Sequence, residues 1–129
     1  MEINRADVCD QVAREFYAYE AALVANDVDR ILGFFAPDAV RFGIADHQAG
    51  EREQREWRLT QPALPPGRTL KDTTIIAYGD SVAVVTTFFG YPGSDLLGRQ
   101  SQTWVRLPQG WRIVTAHVSH PTGIHRMYT

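Results

Sequence analysis

The sequence predicts one α+β domain over residues 1–129, in which N-terminal helices pack into a curved, barrel-like antiparallel sheet. Three observations predict it: helical spacing of apolar residues early in the chain, a cluster of breakers at Pro62, Pro65, Pro66 and Gly67, and four β-prone runs joined by turns after it. At 129 residues the chain is long enough to bury one core and too short for two independent ones.

Val8, Val12, Phe16, Tyr19 and Leu23 recur at helical steps and draw one apolar stripe down a first helix. Asn4, with Asp7 three residues on, reads as its N-cap, because a short side-chain carbonyl can accept the free amides of the first turn. Asn26 suits the left-handed residue that follows a helix. Asp27 then caps a second helix reaching Phe35 through Val28, Ile31 and Leu32, and Pro37 stops it. Ala39 to Phe42 reads as a short strand, 45–50 as a loop, and Glu51 to Leu59 as a third helix in which charge dominates. The later strands are expected over Arg68–Tyr78, Ser81–Tyr91, Gly98–Leu107 and Trp111–Ser119, and connections this short force an antiparallel meander.

The meander implies a partner. In Val82–Phe89 both alternating sets are largely apolar, whereas a sheet covered by helices on one side should alternate apolar with polar. The outer face is therefore expected to be buried in a homodimer. His125, Arg126 and Tyr128, in a C-terminal tail over 121–129, are left between covering a partner subunit and fraying.

With 13 basic against 15 acidic residues, the chain lacks the cationic excess of a nucleic-acid binder. Charges at the N-terminus and the lack of any run of ~20 apolar residues argue against a leader or a membrane span. The lone Cys9 cannot close an intramolecular disulfide and reads as a small buried apolar residue. A cytoplasmic location follows as the expectation. Metal binding is unsupported, since His47, His117, His120 and His125 show no helical pair or zinc-site spacing, and no phosphate or dinucleotide fingerprint calls for a cofactor.

Tyr19 is the most informative residue, because its stripe aims a phenol at the interior, where a hydroxyl needs a partner. It is either a core tyrosine bound to a backbone carbonyl or a proton-transfer group. Arg41 lies on the opposite strand face from Val40 and Phe42, so it points either to solvent or into a cavity, where its fork would match a carboxylate. Arg68 is a further cationic candidate, and Gln100, Gln102 and Trp104 share one face of their strand, a set suited to lining a polar cavity. Ile113, Thr115, His117 and Ser119 are expected on one face of the last strand, with His117 either a hydrogen-bonded structural residue or a base.

Taken together, YEAALVANDV (19–28), VRFG (40–43), GRTLKDT (67–73), GRQSQTWVR (98–106) and GWRIVTAHVS (110–119) resemble the AtzH-like family. That family sits within the superfamily of SnoaL-like, ketosteroid isomerase-like and nuclear transport factor 2-like proteins. The resemblance implies a cone-shaped α+β fold and cofactor-free hydrolysis or decarboxylation of small N-carboxylated ureas. It implies Tyr19 and Arg41 as the catalytic pair. Read from their own positions, Arg68, Gln100, Gln102, Trp104, His117 and Ser119 are the candidates to hold a small anionic or amide substrate. A non-catalytic carboxylate-binding or amidase-accessory protein, or an isomerase or cyclase, remains open; the isomerase would need a carboxylate base, for which Glu20, Asp38 and Asp46 are the nearby acids, none clearly aimed inward.

Overall fold

A computed structural model describes residues 1–122. Its elements run α1 (Ala6–Val24), α2 (Val28–Leu32), β1 (Phe35–Phe42), β2 (His47–Ala49), α3 (Glu51–Thr60), β3 (Thr69–Tyr78), β4 (Val82–Gly90), β5 (Gly98–Leu107) and β6 (Gly110–Ser119). His125, Arg126 and Tyr128, expected either to cover a partner subunit or to fray, lie outside the described residues. The sheet order is β2-β1-β6-β5-β4-β3: the expected antiparallel meander β3 to β6, extended by β1, which runs parallel to β6, and by β2.

The α1 stripe is buried as its spacing requires, and it packs with Val85, Trp104 and Ile113 from the inner face of the sheet. Asn26 takes the left-handed conformation, φ 54°, and Asp27 accepts from the Arg30 amide at 3.2 Å, as their residue types predict.

Four local expectations are corrected. Asn4 does not cap α1: its Oδ1 accepts from the Ala77 amide at 2.9 Å, its own amide donates to the Ala77 carbonyl at 2.8 Å, and Arg5 takes the cap position with no side-chain bond. The second helix stops at Leu32 and Phe35 already belongs to β1, because the Ile113 amide captures the Phe34 carbonyl at 2.7 Å and sheet pairing takes over from the helix. Pro37 accordingly ends no helix but sits in β1, where the pairing with β6 is irregular between Phe35 and Val40 and its missing N–H costs no ladder bond. Within the stretch read as a loop, His47–Ala49 pairs back on Val40–Phe42, and Gly50, at φ 88°, turns the chain into α3.

Candidate active site

Three elements bring polar groups into the apolar interior. Tyr19, from α1, is buried with its ring edge-to-face against Phe34 at 6.0 Å and Phe35 at 5.9 Å. Its phenol interacts with the guanidinium of Arg58, a residue of α3 that the sequence reading missed. Arg58 and Gln54 lie four apart on the inward face of α3, both are buried, and Arg58 Nε donates to Gln54 Oε1 at 2.8 Å. Arg58 Nη2 is buried and has no hydrogen-bond partner among the described residues.

That orphan donor is an unusual feature, since a buried polar group without a partner normally costs the fold the full loss of its hydration. Burial pushes the Arg58 guanidinium down to about 10; Tyr19 opposes that shift as the facing phenol, and the like charge of Arg41 adds to it. Arg41 is thus near enough to be felt by Arg58. Strand alternation sets it opposite Val40 and Phe42, and the structure shows that this is the inner face of β1; its guanidinium carbon stacks 4.3 Å from the centre of the Trp57 ring. Nη1 of Arg41 donates to Asp46 Oδ1 at 2.7 Å and to Gln48 Oε1 at 3.0 Å, while Gln48 Nε2 donates to the same Asp46 oxygen at 2.9 Å. The Nε and Nη2 side of its fork makes no hydrogen bond among the described residues. Tyr19 and Arg41 therefore meet through Arg58 rather than directly.

The remaining candidates divide into three groups. Gln102 and Trp104 share the inner face of β5 as expected, with the indole donating to Gln102 Oε1 at 3.0 Å and the Trp104 ring 6.4 Å from that of Phe34. Arg68 and Gln100 also face inward, but they are held in a network of their own. Arg68 donates to both Glu20 oxygens, at 2.9 and 3.4 Å, to the Tyr91 hydroxyl at 3.1 Å and to Gln100 Oε1 at 3.1 Å, and Gln100 Nε2 donates to Glu20 at 3.1 Å. Glu20 does project inward, and Arg68 neutralises it. Burial alone would depress Arg68; the Glu20 carboxylate, with help from Tyr91, more than reverses this and leaves it raised.

His117 and Ser119 form the third group, and their expected placement is corrected. They lie on the outer face, away from Tyr19, although Ile113 points inward. The pairing of β6 with β5 slips between Thr103 and Trp104, so that Thr103 faces Thr115 while Trp104 faces Ile113, and Val114 is the extra residue. A bulge of this kind flips the alternation beyond it, putting Thr115, His117 and Ser119 on the face opposite Ile113.

A hollow of about 30 Å³ lies beside Arg58, walled by Leu23, Asn26, Trp57, Gln61, Pro62 and Leu64; neither Tyr19 nor Arg41 lines it. It accommodates one or two water molecules. Beyond Trp57 opens a surface cleft of about 570 Å³ that includes Asp46 and Gln48, the partners of Arg41. Among the described residues no group of three or more His, Cys, Asp or Glu could hold a metal ion, and no helix is long and apolar enough to cross a membrane.

A signal for Arg58 does exist in the sequence. Glu51–Thr60 has no apolar stripe, with Leu59 exposed, yet a helix packed on a domain must bury one face. The pair Gln54 and Arg58, at i and i+4, is the face that remains.

Comparison with known proteins agrees with this architecture. A cystatin-like fold protein from Burkholderia xenovorans superimposes with a TM-score of 0.88 at 44% identity, over 93% of this chain and 96% of its own. A protein of unknown function from Pectobacterium atrosepticum gives 0.87 at 45% identity, over 92% and 94%. An NTF2-like protein of unknown function from Pseudomonas putida, at 16% identity, matches in fold alone, with a TM-score of 0.79 over 91% and 89%. A search of curated proteins gives no match. The AtzH-like family model matches residues 1–122, and the chain, with its nuclear transport factor 2-like fold, belongs to the AtzH-like family.

Proposed function

We propose that this chain is a metal-independent enzyme that removes carboxyl groups from small N-carboxylated ureas or amides, with Tyr19, Arg58 and Arg41 as its working residues. The observation that carries the reading is the buried Arg58 donor without a partner, facing a phenol and close to a second buried guanidinium. A cation held in this way lacks an anion. A carboxylate is the planar group that the guanidinium fork matches best.

In this reading Arg58 Nη2 and the open side of Arg41 hold the carboxylates of the substrate, and Tyr19 donates its proton to the nitrogen of the bond that breaks. The N–C bond cleaves, its electron pair goes to nitrogen, carbon dioxide leaves, and the resulting phenolate is stabilised beside Arg58 until water returns the proton. Decarboxylation is favoured over attack by an activated water, because the inward acids are already engaged: Glu20 by Arg68 and Asp46 by Arg41. The same engagement disfavours an isomerase, which would need one of them as a free base; Asp38, the third candidate, is exposed. A substrate larger than the hollow requires the connection 61–68 to shift.

The test is to assay carbon dioxide and ammonia release from dicarboxyurea and related ureas. Tyr19→Phe should lower kcat by about 10²- to 10⁴-fold with little change in substrate affinity, and Arg58→Gln should weaken binding as well. Wild-type turnover in both folded variants would refute the assignment. A wild-type protein that is thermally stabilised by the ureas but releases nothing would make the site a carboxylate-binding one.

A further inference from the structure

Resting on the reading of Arg58 as the hook for a substrate carboxylate, we infer that Gln54 is the positioning residue that makes the hook work. Its amide fixes the guanidinium without neutralising it, so the charge stays available to an anion from outside.

Three arginine side chains turn into the domain, and their partners differ in charge. Arg68 meets the Glu20 carboxylate at 2.9 Å, and Arg41 meets that of Asp46 at 2.7 Å. Arg58 is also buried, yet it makes no ion pair among the described residues; its Nε donates instead to Gln54 Oε1 at 2.8 Å, and Gln54 is itself only 1% exposed. Asp46 acts on Arg58 less than burial, Tyr19 or Arg41 do, and its Oδ1 already accepts from Arg41 and Gln48.

An amide at position 54 runs against the rest of α3. On its solvent side the helix pairs arginines with carboxylates four positions away, Arg52 with Glu56 and Arg55 with Glu51. On its buried side the same spacing joins Arg58 to an amide. A glutamate four residues ahead of a cation is the favourable order on a helix, and a cation taken out of water is the one that suffers most without an opposite charge. A helix selected for stability alone would carry its carboxylate inside. With Gln54 there, a neutral acceptor holds the Nε edge and sets the plane of the fork, while Nη2 is left buried and unpartnered. A carboxylate at the same place would satisfy the cation from within and compete with every anion that approaches it.

The experiment compares the wild type with Gln54→Glu and Gln54→Met, using malonate, a dicarboxylate with no N–C bond to break, as the binding probe and dicarboxyurea as the substrate. Gln54→Glu keeps the acceptor and supplies the missing charge. It should raise the Tm of the free protein yet weaken malonate binding, read from the ligand-induced rise in Tm, by about 10- to 100-fold. On dicarboxyurea its KM should rise more than its kcat falls. Gln54→Met keeps the cation free but removes the acceptor, so it should be less stable than the wild type and lose less affinity than the Glu variant. A purely structural glutamine predicts the reverse order, with affinity following stability across the three proteins, and that result would overturn the inference. So would a Glu variant less stable than the wild type, because its carboxylate would then not be reaching Arg58. In both cases a wild type that still turns over dicarboxyurea leaves the proposed function standing. A wild type that neither gains stability from malonate nor releases carbon dioxide from dicarboxyurea removes the hook itself, and the role of Gln54 with it.

Discussion

Arg58 holds its charge where little water reaches it, and the fold bears the cost. Moving a guanidinium from its ordinary range down to about 10 corresponds to about 3 kcal/mol of lost stability at neutral pH. Arg58→Met should therefore raise stability by up to about that amount while removing the proposed anion hook, a trade found where binding sites are built at the expense of the fold. The unfolded chain keeps this proton at higher pH than the folded one, so the wild type gains stability as pH rises past about 10. The gap between variant and wild type, measured by urea unfolding, should be constant below pH 9 and narrow above about 10. A variant no more stable than the wild type would mean that Tyr19 and Gln54 already compensate the charge. Glu20 behaves oppositely. Its pair with Arg68 is buried on both sides, so Glu20→Gln should strand the Arg68 cation and cost about 3 to 5 kcal/mol, read as a lowered urea midpoint.

At the scale of elements, residues near the ends of helices and strands decide more than their propensities suggest. Asn4 is spent on β3 rather than on α1: through Ala77, and through the Gly79 amide donating to the Glu2 carbonyl at 2.8 Å, the N-terminal residues cover the end of an edge strand. Asn4→Ala should orphan the Ala77 amide and cost about 1 to 3 kcal/mol, with faster hydrogen exchange at Ala77 as its signature. Asp27→Ala, by contrast, removes an ordinary cap and should cost about 1 kcal/mol. Strand bulges act at the same scale. The slip at Val114 turns His117 and Ser119 outward, and another between Lys71 and Thr74, with Asp72 at φ 53°, re-aims β3 so that Thr73 faces inward and meets the Thr87 hydroxyl at 2.7 Å.

For the molecule as a whole, the proposed function requires binding and opening to be coupled, since the hollow at Arg58, about 30 Å³, is smaller than a carboxylated urea. Such a ligand should raise the wild-type Tm, raise that of Arg58→Met less, and alter hydrogen exchange across the connection 61–68. Periodicity determined the α1 stripe, the inward turn of Tyr19, the opposition of Arg41 to Val40 and Phe42, and the shared face of Gln100, Gln102 and Trp104, because each depends only on spacings of 3.6 or 2 within one element, and short connections determined the four-strand meander; that the Arg41 side of its strand is the inner one was decided by the tertiary structure. Tertiary structure alone decided the rest: which cation meets Tyr19, that Glu20 claims Arg68 and Gln100, and where the last strand slips. Those outcomes depend on contacts between residues far apart in the chain, such as Glu20 with Gln100, 80 positions away, and no local pattern encodes which of several polar groups will find one another when the sheet closes over the helix.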